Sequence, residues 1–371
     1  MFLSAQLGRT PTSRPCAAVL LALGLLTAGC ADTAYLLGSA TGHLKMLQAA
    51  RPVDDWLAED GTPLALKQRL LLAQDIRRFA VHSLQLPDNA SYQRYAQLPR
   101  RAVVWNVVAA PAYSLTLKTW CFPVVGCVGY RGYFDEQEAK LEAEALRAQG
   151  LEASVYGVPA YSTLGWMNWL GGDPLLSTFI QYPQGELARM IFHELAHQVV
   201  YVKDDTAFNE SFATAVERLG STAWLANQAN PAVQAEYARF DARRRAFRAL
   251  TARTRLQLKA MYALEGGGDA TPNAGAQEAM KVAAYAEFRQ AYAQLKQDWG
   301  GHGPYDAWVA NANNAAFGAL AADDDWVAAF EALFNRQPGD WRAFYAAVHR
   351  LAELPRDQRT QGLQQLLTEK P

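Results

Sequence analysis

The sequence predicts a helix-dominated α+β fold with a small, mostly antiparallel sheet and a long helical hairpin. Three observations predict it. Apolar residues recur at helical spacing from Ala31 to about Leu84 and again through most of the chain beyond Gln184. The stretch between is β-branched and aromatic, with turn residues dividing it. A triple glycine, Gly266-Gly267-Gly268, interrupts the longest helical pattern. The 371 residues, 50% hydrophobic and 19% charged, suffice for one large core or two smaller ones. Lys+Arg 35 against Asp+Glu 36, with no long basic block, excludes a chain built to neutralise phosphates, so no nucleic-acid partner is expected.

At the N-terminus, Arg9 and Arg14 precede the apolar run Ala17–Leu26, and Leu26-Thr27-Ala28-Gly29-Cys30 follows. The apolar stretch is shorter than the roughly 20 residues a spanning helix needs. Residues 1–29 resemble a bacterial lipoprotein signal peptide; an ordinary signal peptide and a buried helix are the alternatives. The resemblance implies lipidation of Cys30 and an exported domain over residues 30–371, tethered by acyl chains. Ala31 after the cysteine implies an outer-membrane anchor, with the domain facing the periplasm.

Residues 31–100 then read as N-terminal helices, with Leu36, Leu37, Ala40, Leu44 and Leu47 forming one apolar stripe and Leu66, Leu70, Leu71, Ile76 and Phe79 another. Breaks are expected at Arg51-Pro52 and Asp60-Gly61. Residues 101–182 form the sheet region, with strands over 102–108, 113–118, 128–134 and 152–156 and one charged helix over 135–149, for which Asp135 is the expected N-cap and Gly150 the stop. Residues 183–371 are helical in pattern. Among them 235–264 carries Arg239, Arg243, Arg244, Arg245, Arg248, Arg253 and Arg255, and 277–299 returns beyond the glycine loop. The arginines are expected to form a solvated face.

After signal removal Cys121 and Cys127 are the remaining thiols, and Pro123 and Gly126 between them let the chain turn back. In an oxidising compartment a disulfide is expected; a two-cysteine metal site is the weaker reading, since no further soft ligand lies nearby.

The chemistry concentrates at His193-Glu194-Leu195-Ala196-His197, an H-E-x-x-H inside an apolar helical segment. Residues four apart share a helix face, so both imidazoles can meet one metal ion, while Glu194 lies about 100° round the axis, within reach of a water on that metal. Zinc is the expected ion, and it needs a third protein ligand with one position left open. Val200 and Lys203 exclude the metzincin continuation. A break at Lys203-Asp204-Asp205 precedes a second helix that can return Glu210 to the metal. Glu217, seven residues on, shares its face and is open to three roles: substitute ligand, orienting group or anchor for a substrate's free amine.

Asn209-Glu210-Ser211-Phe212-Ala213 after the H-E-x-x-H helix resembles the gluzincin metallopeptidases. The resemblance implies a zincin-like fold, Glu210 as third ligand and Glu194 as general base and acid in peptide hydrolysis. The gap from His197 to Glu210 is shorter than in thermolysin-like members, and Thr214 stands where those often carry an orienting Asp. Together with the lipobox, Trp120-Cys121-Phe122-Pro123, Tyr130-Arg131-Gly132-Tyr133 and Ala160-Tyr161-Ser162-Thr163-Leu164-Gly165, the chain is similar to a bacterial family of predicted aminopeptidases. That implies a peptide substrate taken from its amino end. Tyr130, Arg131, Tyr161, His302 and Tyr305 are candidates for the donor that an oxyanion needs, and Tyr161 follows a strand to which an extended peptide can add. The reading from a different class is a non-catalytic metal-binding or scaffold lipoprotein of the cell envelope, against which the intact Glu194 argues.

Overall fold

The computed structural model describes residues 35, 38–122, 126–160, 163, 171–228, 230–263, 274–320 and 326–368. Cys30, Tyr161 and the glycine loop therefore lie outside the described residues. The chain divides into two compact units, residues 1–45 and 46–371. In the first, residues 38–45 are helical. The second is α+β and helix-dominated, as expected. Among the described residues no helix is long and apolar enough to cross a membrane.

The second unit opens with strand β1 (Ala50–Pro52), at the expected break, then helices α1 (Val53–Ala58) and α2 (Leu64–His82) and strand β2 (Arg94–Ala96). Strands β3 (Val104–Pro111), β4 (Trp120–Phe122), β5 (Gly126–Val128) and β6 (Arg131–Tyr133) follow, then helix α3 (Glu136–Ala148) and strands β7 (Leu151–Val158) and β8 (Leu175–Leu176). Instead of one small sheet the described residues form three: β1-β2-β8, β6-β3-β7 and the hairpin β4-β5. All pairings are antiparallel except β2 with β8.

Asp135 caps α3 as predicted, its Oδ1 accepting from the amides of Gln137 at 2.8 Å and Glu138 at 3.1 Å. The strand expected over 113–118 is instead irregular. Ser114 explains it: its amide donates to Pro111 O at 3.2 Å and its hydroxyl accepts from Thr116 N at 3.0 Å, a local turn that competes with strand pairing. Cys121 faces Cys127 in the β4-β5 register, and the two are joined by a disulfide.

The remaining chain is helical: α4 (Gln184–Ala196), α5 (Thr206–Ala226), α6 (Pro231–Ala263), α7 (Ala274–Asp298), α8 (Asp306–Ala310), α9 (Asn314–Ala319), α10 (Val327–Asn335), α11 (Trp341–Ala352) and α12 (Arg356–Thr368). The main core gathers Leu70 and Ile76 of α2, Ile191, Phe192 and Leu195 of α4, Phe208, Phe212 and Val216 of α5, and Phe330 and Phe344 from α10 and α11. Gly220 lets α5 approach α4 closely, since a Cβ there would sit 3.0 Å from the Phe192 ring. A second core is built on the α6–α7 hairpin, where Phe247 stacks on Tyr305 at 3.8 Å and Phe288 packs among Tyr285, Trp308 and Phe317. The expected arginine face is mixed. Arg245 is exposed, but Arg244 is drawn inward with a side chain only 14% exposed.

Candidate metal centre

Helix α4 is apolar on the sides it turns to the core, which buries Leu187, Ala188, Ile191, Phe192 and Leu195 and fixes its rotation. That rotation puts His193 and His197 on one face, the second as the helix's C-cap with its amide on His193 O at 3.3 Å. The turn to α5 is set by Asn209, whose side chain accepts from Val202 N and donates to Val202 O, each at 2.7 Å. Asp205 caps α5 by accepting from Phe208 N at 3.2 Å, and Arg359 of α12 grips the same carboxylate from Nε and a terminal nitrogen at 2.9 and 2.7 Å. Asn209 therefore closes the turn that places its neighbour Glu210 beside the histidines.

The two imidazole Nε2 atoms stand 3.2 Å apart, and Glu210 Oε2 is 3.5 Å from His193 Nε2 and 3.6 Å from His197 Nε2. One donor atom from each of the three lies within 4.8 Å of the others. Two imidazole nitrogens and one carboxylate oxygen form a donor set that fits zinc, and the carboxylate comes from the more open side, 27% exposed. Glu217, at 3% exposure, sits behind: its Oε2 is 3.0 Å from His193 Nδ1 and its Oε1 accepts from Arg189 Nε at 2.7 Å. With its ring's other nitrogen so engaged, His193 turns Nε2 toward His197 and Glu210. Glu217 thus contacts His193 from one turn beyond Thr214 on α5.

Charges follow the same geometry. Burial works against the Glu210 carboxylate, but His197 and His193 hold it well below the usual carboxylate range. Burial also opposes charge on Glu217, and Arg189 beside it, with His193, brings it down to about 2. Glu194, buried, goes the other way: burial raises it, with Glu210 and Asp173 adding, while His193 and His197 restrain the rise.

The other candidates separate. Desolvation of the Tyr130 phenol raises it, with Glu210, Tyr156, Tyr201 and Glu194 adding in that order, although the residue as a whole is 36% exposed. Arg131 lies on β6 with its guanidinium 5.9 Å from the Tyr133 ring. Tyr305 belongs to the second core, stacked on Phe247, where it senses Arg244, Arg248 and Arg189. His302 is exposed near the end of α7.

The sequence reading missed Arg189, Gln198, Asp173 and Tyr92. Gln198 donates to Ser91 Oγ at 3.1 Å and Asp173 Oδ2 at 3.2 Å and accepts from Asn89 at 2.7 Å, mooring the end of α4. Arg189 had one legible signal, a cation four residues before His193 on an apolar helix.

A family model described as "Putative aminopeptidase" matches residues 34–363. Among curated proteins and among solved structures nothing matches.

Proposed function

The chain belongs to the "Putative aminopeptidase" family, and we propose from that premise that it is a zinc-dependent peptidase of zincin-like architecture. It acts from the amino end of its substrate, exported and anchored through lipid on Cys30 to the outer membrane, facing the periplasm. The observation that carries the reading is the convergence of His193, His197 and Glu210 within 4.8 Å, with the buried Glu194 next to His193 in the chain. Zinc in that donor set supplies a Lewis acid that polarises a carbonyl and brings the pKa of water down toward about 7.

The chain's own groups do the rest. Glu194 has the proton affinity of a buried carboxylate restrained by two imidazoles, which suits it to take a proton from the attacking water and return it to the leaving amine. Tyr130, protonated and electrostatically coupled to both Glu210 and Glu194, is the preferred donor to the developing oxyanion. Glu217 uses one oxygen on His193 and the other on Arg189, which fits it for orienting the ligand rather than holding a substrate's amine. The disulfide accords with an oxidising compartment.

The test is digestion of a peptide library by the purified, zinc-loaded protein, read by mass spectrometry. Products shortened one residue at a time from the amino end support the reading. Internal cuts would make it an endopeptidase, and no cleavage at full zinc content would hand the function to the scaffold alternative.

A further inference from the structure

Behind His193 the charges do not stop at Glu217. Arg189, which donates from Nε to Glu217 Oε1 at 2.7 Å, also places a terminal nitrogen 3.3 Å from Glu186 Oε2, one turn earlier on α4. Glu186 in turn receives both terminal nitrogens of Arg244, from α6, at 2.9 Å each. An unbroken alternation results: His193, Glu217, Arg189, Glu186, Arg244. It runs across three helices, and it ends on the arginine-rich segment that the sequence reads as a solvated face. Glu186 and Arg244 are each only 14% exposed, so neither is a loose surface ion.

Residues 186, 189 and 193 fall on one stripe of α4 by the i, i+3, i+7 rule, the stripe that faces α5 and α6. The chemistry requires arginine in the middle. Its fork offers Nε to one carboxylate and a terminal nitrogen to another along fixed directions; an ammonium on a flexible stem cannot hold two carboxylates in a defined plane. A carboxylate bonded at one oxygen turns freely about its last carbon–carbon bond. Glu217, bonded at both, has its plane set, and through it the ring of His193.

We infer that Arg189, seated by Glu186 and Arg244, is a positioning residue for the metal centre: it fixes Glu217, Glu217 fixes His193, and helix α6 is thereby coupled to metal affinity. The inference rests on His193 being a ligand, as proposed above.

The experiment is zinc titration of the full protein against a chromophoric chelator, with the visible spectrum of the cobalt-substituted protein as a second readout of ligand geometry. Arg189→Lys keeps the charge and loses the fork; it should weaken zinc by about 10- to 100-fold, the usual range for groups that orient a ligand, and shift the cobalt bands. Arg244→Gln, which touches neither ligand nor Glu217, should weaken zinc less but in the same direction. If both bind zinc within twofold of wild type with unchanged cobalt bands, the chain of charges only ties helices together and the inference is overturned. Should Arg189→Lys fail to fold, Arg244→Gln decides alone by the same criterion. His193→Ala in parallel separates the two claims. Full zinc affinity there removes the ligand set and the inference with it, whereas loss there with wild-type affinity in Arg189→Lys and Arg244→Gln removes the inference alone.

Discussion

His193 and His197 stand one turn apart on α4, and the two sides of that helix hold them by different means. On the α5 side the grip is on the side chain: Nδ1 of His193 meets Glu217 at 3.0 Å, backed by Arg189. On the opposite side it is on the main chain. Among the described residues, His197 Nδ1 is buried without a hydrogen-bond partner. What fixes His197 is its place at the helix end, moored by the next residue, Gln198, to Asn89, Ser91 and Asp173. A ligand held by its side chain can be tuned by one substitution, while a ligand held through its backbone answers to the stability of the loops around it. Glu194 lies between the two in sequence, buried and within the electrostatic reach of both rings.

The largest effect should therefore come from Glu194. Glu194→Gln keeps the shape and loses the proton acceptor, so hydrolysis should fall by about 10² to 10⁴ while zinc content and melting temperature stay near wild type. Loss of zinc in this variant would make Glu194 a ligand and erase the division between holding the ion and moving the proton.

The comparison itself is sharpened by a pair. Glu217→Gln should raise the zinc dissociation constant by about 10- to 100-fold, since it acts on the imidazole directly. Gln198→Ala should instead lower folding stability by about 1–3 kcal/mol, because it strips partners from buried Asp173 and Ser91, with zinc affinity changed only a few-fold. Equal losses of zinc affinity in both variants, measured by chelator competition, would show that the two sides are not held differently at all.

The clustering of His193, His197 and Glu210 was legible because their spacing is local. His193 and His197 share a face by helical geometry alone, and Glu210 follows from a short turn and a second helix. The support was not, because its partners meet across the fold: Arg189 and Glu217 are 28 residues apart, Glu186 and Arg244 58, Asn89 and Gln198 109. Arg244 shows the difficulty best. Among seven arginines on one helix nothing in the pattern marks Arg244 as one that turns inward, since its partner Glu186 sits on another helix. Strand prediction failed over 113–118 for a related reason, as residue type favours a strand there and the Ser114 hydroxyl builds a turn.

A smaller, localised effect is expected at the hairpin. The amide of Cys127 donates to Asp204 Oδ1 at 2.5 Å, in the turn between the two ligand helices, and Gly126, at φ +79°, leaves room for that carboxylate. The disulfide closes a short loop, so Cys121→Ser/Cys127→Ser should cost about 2 kcal/mol in chemical denaturation. No change would mean the hairpin is held by its contact with Asp204 and not by the bridge.

The smallest expected effect bears on the backbone-held side. Tyr92 is 1% exposed and adopts φ +54° to +64° territory shared with only two other described non-glycine residues, its own value being +63°. Its main chain is clamped at both ends, the amide on Asp173 O at 2.7 Å and the carbonyl receiving Gln74 Nε2 at 2.8 Å. Its hydroxyl, in the electrostatic range of Glu194 and Asp173, has no hydrogen-bond partner among the described residues. A left-handed backbone at a bulky residue persists only where its surroundings over-determine it, and here one clamp, Asp173, also moors Gln198 while the other, Gln74, lies on α2. If the main chain carries the function of this residue, the hydroxyl contributes nothing to folding. Tyr92→Phe should then leave stability within about 1 kcal/mol of wild type, on the stabilising side, because it removes a buried polar group with no partner among the described residues. A loss larger than that would mean the hydroxyl is bonded in solution, through water or to Glu194, and the core side would then be gripping the centre through a side chain as well.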